Sequence, residues 1–447
     1  MSSPFLYIDR RLMGAYLIGS YPIICSNLNV LAIEAINTIM VSRVSVTDAV
    51  SAVFAHTLFN IFKKINAGMA MSVSLLVAHA ERKKKHNQLK KIFNHGLLLN
   101  TFFALIFSIV LVLLSYHLTY ISPSPEIANL GKNYLRIISI ALIPSAINSI
   151  IKRYLERQAN GNIPLLLNFC TLITNLIFNF ILIYGQCGFP MVGLNGAAIA
   201  IVLSETLTAV AGTLYLLYKP TQNHHIMDLN VSHISWRYFR KIGWLSWPVG
   251  LQFGVEGAYL LFIAIIAGSI SIEAQATHTI LLNISQLMTI FAIGLGQSGS
   301  ILVTQQHHPK NGCFIRKVGF MACSMIGIIS IIVGLILCTI SPYIIGLYKP
   351  VDAVRTLVSR LIAHLCFFQL FYSMCYWGSS MLRGLHDDAF LFLLNMFTKL
   401  LGVGICYSLV IKYNWNLNGI WITLILEHML ISLLLLIRFD YKTKPSI

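Results

Sequence analysis

The feature that most restricts this chain is a succession of long apolar runs almost free of charge, among them 98–114, 165–184, 197–217, 319–340 and 420–437. A helix of about 20 mostly apolar residues crosses the hydrocarbon of a bilayer. Helices and closed barrels alone satisfy their own backbone hydrogen bonds there. Twelve helical spans can be placed, at 13–41, 50–78, 96–118, 132–156, 163–186, 193–218, 245–269, 275–303, 318–340, 355–382, 389–413 and 419–437. Charged residues make up 11% of the chain, against roughly 25% in soluble domains, so most of the exterior must face something other than water. The fold class predicted is an all-α polytopic membrane protein with twelve transmembrane helices.

The net charge of +17 could suggest nucleic-acid binding, but the basic residues concentrate in alternate loops. Segments holding Arg10 and Arg11, Arg82 to Lys91, Lys152 to Arg157, Lys219 to Lys241, Lys310 to Lys317, Arg383, and Arg438 to Lys444 carry 22 of the 32 Lys and Arg. Such a bias marks cytoplasmic loops, so both termini are expected inside and nucleic acid is not an expected partner. The first eleven residues are too polar and short for a signal peptide, and the first span is read as a retained helix. The nine cysteines are scattered without metal-ligand or disulfide spacing and are read as packing residues. The pairs His224–His225 and His307–His308 are read as solvated loop residues.

The longest polar connection, 219–244, divides the chain into halves, 1–218 and 245–447, of six spans each. The halves repeat. Residues 68–80, GMAMSVSLLVAHA, match 294–306, GLGQSGSILVTQQ, at five of thirteen positions, 226 residues apart. Leu-Asn-Gly recurs at 194–196 and 417–419, with a shortened loop accounting for the smaller offset. An even number of spans per half makes the halves parallel repeats, two pseudo-symmetric six-helix lobes with a site expected near the midplane.

Four acidic residues fall well inside spans: Glu34, Glu205, Glu256 and Glu427. A charge in hydrocarbon costs at least about 2.5–3.5 kcal/mol, so it faces a cavity or a partner. Glu256 ranks first. It lies two turns into a helix opened by Trp247-Pro248, with Phe253, Tyr259 and Phe262 near enough in sequence to wall a flat organic cation. Glu34 shares a helix face with Asn37, and the two could offer a carboxylate and an amide oxygen to a cation. Glu205 and Glu427, nearly equivalent in the repeat, are read as lobe-stabilising. Lys63 and Lys64 in span two and Lys399 in span eleven need intramembrane partners, with Glu34 a candidate for the first pair. A Walker-type loop, a potassium-filter motif, a His-Glu-x-x-His metal signature and a nucleophile elbow are all missing, so neither an enzyme nor a bound cofactor or metal is expected.

Several runs stand out by their order and spacing: Asn37-Thr38-Ile39-Met40-Val41; Leu76-Val77-Ala78-His79-Ala80 with its basic loop; and Asn175 to Gly185, NLIFNFILIYG. Trp247-Pro248-Val249-Gly250-Leu251 leading to Glu256, Ala276-Thr277-His278, Leu282-Asn283-Ile284-Ser285, and Leu382-Arg383-Gly384 with Asp387 complete the set. Together they resemble the multidrug and toxic compound extrusion (MATE) family in its bacterial NorM-like branch. The resemblance implies two six-helix lobes around a central cavity, and export of small organic, often cationic, solutes in exchange for Na⁺ or H⁺ by alternating access. It maps the second lobe's acid onto Glu256. Two departures stand out: the family often has Asp where Asn37 and Tyr372 stand here. The candidate cation-coupling or substrate-binding set is therefore Glu256, Glu34, Asn37, Asn175, Asn179, Asn283 and Tyr372, with Lys63, Lys64 and Lys399 as charge partners. A single acid without its partner Asp favours H⁺ over Na⁺. The expected protein is a monomeric antiporter in the lipid bilayer of a plasma (bacterial inner) membrane. The rival is a flippase for a lipid-linked oligosaccharide, which would line its cavity with cations for a pyrophosphate.

Overall fold

The computed structural model describes residues 10–82, 86–120, 125–157, 162–218, 235–306, 312–347 and 352–444. Lys83, Lys84 and Lys85 of the basic loop, most of the connection 219–244, and the pairs His224–His225 and His307–His308 lie outside the described residues. Among the described residues thirteen α-helices run in order: α1 Arg10–Ser42, α2 Val46–Arg82, α3 His86–Tyr116, α4 Pro125–Ser139, α5 Leu142–Arg157, α6 Asn162–Tyr184, α7 Leu194–Tyr218, α8 Trp236–Ile270, α9 Ile272–Gln306, α10 Gly312–Leu347, α11 Asp352–Gly384, α12 Asp388–Tyr407 and α13 Asn416–Thr443. The described residues hold no β-strand.

Among the described residues, ten of these helices are each long and apolar enough to cross a membrane. The fourth span departs from the single helix expected over 132–156: α4 and α5 meet at a 46° bend. Pro144 explains the break. It has no N–H to donate to Ile140, and its ring excludes the preceding helical turn. The chain instead turns through bonds from Ile140 N to Ile137 O and from Ala141 N to Ile138 O, and restarts with the proline in the first turn of α5. Counted together, α4 and α5 form an eleventh span. The twelfth is α2, 37 residues long, whose apolar stretch is interrupted by Lys63 and Lys64.

The repeat is explicit in the helix starts. Arg10 and Trp236, Val46 and Ile272, His86 and Gly312, and Asn162 and Asp388 are each 226 residues apart (236 − 10, 272 − 46, 312 − 86, 388 − 162). The offset falls to 222 (416 − 194) only for α7 and α13, because the second repeat shortens the preceding loop. The first repeat makes that turn with Gly185, Gly188 and Gly193 at positive φ; the second uses Asn414 and Asn416, the residue type that best tolerates this region after glycine.

Two compact units emerge, 25–254 and 1–24 with 255–447. The first helix of each repeat, α1 or α8, is thus shared between them. Each unit contains one crossing set by a glycine of the repeated motif. In the first, a Cβ on Gly68 would lie 3.0 Å from Val249 O and 3.3 Å from Gly250 Cα. In the second, a Cβ on Gly294 would lie 3.2 Å from Ile24 N and 3.3 Å from Ile24 Cα. Gly68 and Gly294 are 226 apart, as are Ile24 and Gly250, so the same backbone approach occurs twice.

Burial is inverted relative to a water-soluble bundle. On α6 the inward stripe is Asn168, Thr171, Asn175 and Asn179, all buried, whereas Phe169, Ile173, Leu176 and Phe180 are exposed. Lipid solvates apolar side chains as well as a core does, so polar groups collect inside, where they find partners.

Candidate functional site

Each unit holds its own polar site. In the unit 25–254, the α6 stripe faces α1 and α7. Asn179 Nδ2 donates to Asn37 Oδ1 at 2.5 Å and to Asn175 Oδ1 at 3.0 Å, and Asn175 Nδ2 reaches Ser204 Oγ at 3.5 Å. One turn away, Thr171 and Thr208 share a hydroxyl bond of 2.8 Å. The Asn37 Nδ2 and Asn179 Oδ1 atoms are buried and meet no hydrogen-bond partner among the described residues. The three asparagines singled out from the sequence therefore form one connected amide chain.

Glu34 is not part of that chain. It is half-buried, and Asn60 Nδ2 donates to its Oε1 at 3.4 Å. Lys63, expected to pair with Glu34, instead donates to Glu205 Oε1 at 3.1 Å. The reason is tertiary: Lys63 projects from α2 towards α7, and Asn148 on α5 completes the carboxylate's shell with a 2.7 Å bond to Oε2. Lys64, one residue on, is exposed and in no ion pair among the described residues. Lys152, counted from the sequence with a cytoplasmic segment, lies in α5 and donates to Asn168 Oδ1, while Asn168 Nδ2 donates to Ser26 Oγ. Asn60, Asn148 and Asn168 were not singled out. A periodic run of amides on α6 was the available signal for Asn168.

In the second unit, Tyr372 on α11 donates its hydroxyl to Glu256 Oε1 on α8 at 3.4 Å. Both are half-buried, and no basic side chain among the described residues lies within ion-pair distance of Glu256. Around the phenol, Phe368 stacks at 5.0 Å with planes 21° apart, and Tyr376 and His428 present their rings nearly perpendicular at 5.2 and 5.0 Å. Phe368 also meets Trp421 edge-on. The aromatic wall is thus built mainly from α11 and α13. Of the residues expected beside Glu256, Tyr259 is committed elsewhere: Lys399 Nζ sits 4.5 Å over its ring and donates to Glu427 Oε1 at 2.5 Å. Glu427 is 1% exposed and Lys399 8%, a pair sealed from solvent.

Asn283 is exposed and makes no hydrogen bond among the described residues. Its neighbour Ser285 points inward, donating to Gln369 Oε1 at 2.8 Å, and Gln369 Nε2 donates to Thr289 Oγ1 at 3.1 Å. His278 is buried against Trp421 at 5.8 Å. Among the described residues no three His, Cys, Asp or Glu side chains converge on a point that could hold a metal.

The four intramembrane glutamates therefore fall into two kinds. Glu205 and Glu427 are neutralised by lysines. Glu34 and Glu256, on the repeat-equivalent helices α1 and α8, are held by a neutral amide and a neutral phenol.

Twelve spans in two repeats, each with carboxylates inside the membrane, define a polytopic protein of the two-repeat transporter class. The MatE family profile matches residues 22–181 and 248–408, once per repeat. The chain belongs to the MatE family. A Photorhabdus laumondii protein named probable multidrug resistance protein NorM is 24% identical over 449 residues, spanning 99% of this chain and 98% of that one. The multidrug resistance protein NorM of Burkholderia vietnamiensis is also 24% identical, over 95% and 93%. Among solved structures, an outward-facing multidrug resistance MATE family transporter of the MOP superfamily matches with a TM-score of 0.87 at 17% identity, over 96% of this chain and 95% of that one. A MOP superfamily transporter of Pyrococcus furiosus matches at 0.85 and 18%, over the same shares. The fold is that of these transporters.

Proposed function

We propose that this chain is a secondary active exporter of small organic solutes, cationic or amphipathic, working by alternating access in exchange for H⁺. It acts as a monomer in a plasma (bacterial inner) membrane with both termini in the cytoplasm. The observation that carries this reading is the division of the glutamates. A carboxylate inside the membrane that no cation pairs with directly is disposed to take one from outside, and among the described residues Glu34 and Glu256 are in that position, whereas Glu205 and Glu427 are not. Beside Glu256, the faces of Tyr372 and Phe368 suit an organic cation. The names of the relatives point the same way.

The choice of H⁺ rests on Asn37 and Tyr372. A site with one carboxyl and one phenol supplies little charge for a sodium ion, whereas one carboxyl suffices to carry a proton. A flippase would need free cations for a pyrophosphate, and two of the three candidates, Lys63 and Lys399, are already paired with Glu205 and Glu427.

The test is efflux of a cationic dye from proteoliposomes under H⁺ and Na⁺ gradients imposed separately. Wild type should respond to the H⁺ gradient, and Glu256→Gln should lose at least tenfold of that response while remaining folded. Unchanged efflux in the variant would sink the assignment; a response to Na⁺ alone would replace the coupling ion.

A further inference from the structure

The chain has nine cysteines, all free thiols in this structure. Two of them meet across a helix pair. Cys338 Sγ on α10 lies 3.4 Å from Cys366 Sγ on α11, and Cys366 Sγ also rests against the carbonyl of Gly334, one turn before Cys338, at 3.6 Å. No other two cysteine sulfurs are in contact among the described residues. A disulfide needs an S–S separation of about 2.05 Å, so less than about 1.5 Å of approach closes it, within reach of a rotation about χ1 of the exposed Cys338. Gly334 leaves that approach open, since even a methyl there would only touch Cys366 at 3.9 Å.

We infer that Cys338 and Cys366 form a reversible redox cross-link that ties α10 to α11 and slows transport when closed. The two S–H bonds break and one S–S bond forms. Two electrons and two protons pass to a membrane-permeant two-electron acceptor, such as an azo compound reduced to its hydrazine. The surroundings select that class of oxidant. Cys338 shares its helix with the exposed Ile331, Ile332, Leu335, Ile336 and Ile340, an apolar surface that lipid wets and charged, impermeant oxidants avoid. The consequence follows from α11. Within ten residues after Cys366 it carries Phe368, Tyr372 and Tyr376, the wall around Glu256, so a bond to α10 restrains the element that holds the carboxylate. This last step rests on the transport reading above; the cross-link itself does not.

The experiment treats the full-length protein in proteoliposomes with diamide, then with dithiothreitol. Expected in wild type are the loss of two maleimide-reactive thiols per chain, a cross-linked peptide pair containing residues 338 and 366, and a fall in dye efflux of at least fivefold that the reductant reverses. Cys338→Ser and Cys366→Ser should keep both their remaining thiol count and their efflux under diamide. A thiol count unchanged in wild type, closure with undiminished efflux, or an equal fall in Cys338→Ser would each overturn the inference. If the transport reading itself is wrong, efflux is absent before any oxidant is added, and the thiol count and peptide pair still decide the cross-link.

Discussion

Replacing Lys399 by Met separates charges that hold this fold from charges available for chemistry. Methionine keeps most of the stem's volume and deletes only the ammonium. That ammonium lies 2.5 Å from Glu427 Oε1 and 4.5 Å over the Tyr259 ring, with the partner side chains 8% and 1% exposed. Stranding one member of a buried pair costs about 3–5 kcal/mol, and the lost contact with the ring adds up to about 2 kcal/mol where it is desolvated. Lys399→Met should therefore lose at least about 3 kcal/mol, more than a hundredfold in the unfolding equilibrium by the usual conversion of about 1.4 kcal/mol per tenfold. Lys63→Met should lose less, about 1–2 kcal/mol, because its side chain is 33% exposed and partly screened, and Glu205 keeps its bond to Asn148. The double variant Lys399→Met with Glu427→Gln should recover most of the loss, since no bare charge remains. Unfolding in mixed micelles titrated with SDS and followed by tryptophan fluorescence measures all three. The reasoning fails if Lys399→Met stays within about 1 kcal/mol of wild type, or if the double variant is no more stable than the single.

Asn179→Leu removes the donor shared by two buried amide oxygens, on Asn37 and Asn175, and should cost about 2–6 kcal/mol at about 1–3 kcal/mol for each oxygen stranded; a loss below about 1 kcal/mol in the same titration would refute the amide chain. Gly294→Val drives a Cβ into Ile24 Cγ1 and to 3.2 Å from Ile24 N, whereas a Cβ on Gly14 meets nothing within 4 Å. The first should lower the thermal midpoint and the yield of folded protein and Gly14→Ala should not, so equal behaviour of the two would contradict the close crossing.

What was legible in the sequence is what the bilayer imposes locally. Hydrocarbon requires each span to be an unbroken apolar helix, so eleven of the twelve spans could be read within a few residues at most ends. The glycine motif at 68 and 294 disclosed the repeat because a backbone crossing admits no side chain. The bend in the fourth span was written at Pro144, yet a proline within an apolar run is equally compatible with a helix that continues through it, as α1 does with Pro22 inside. Glu256 and Asn37 stood out because polar groups are rare in such runs.

Partnership was not legible. Glu34 and Glu205 are each one carboxylate in an apolar helix, and nothing near them in sequence says which receives Lys63; that depends on how α2 is rotated between α1 and α7. Asn283 and Ser285 are two residues apart, and helix rotation alone turns one outward and the other to Gln369. Tyr372 reaches Glu256 across 116 residues of chain. The sequence by itself thus determined the class of protein, its helices and its internal repeat, because these follow from short-range demands of lipid on each segment. Only the tertiary structure decided which glutamates are neutralised and which remain available, because ion pairing falls off within a few ångströms and depends on side chains that packing, not sequence proximity, brings together.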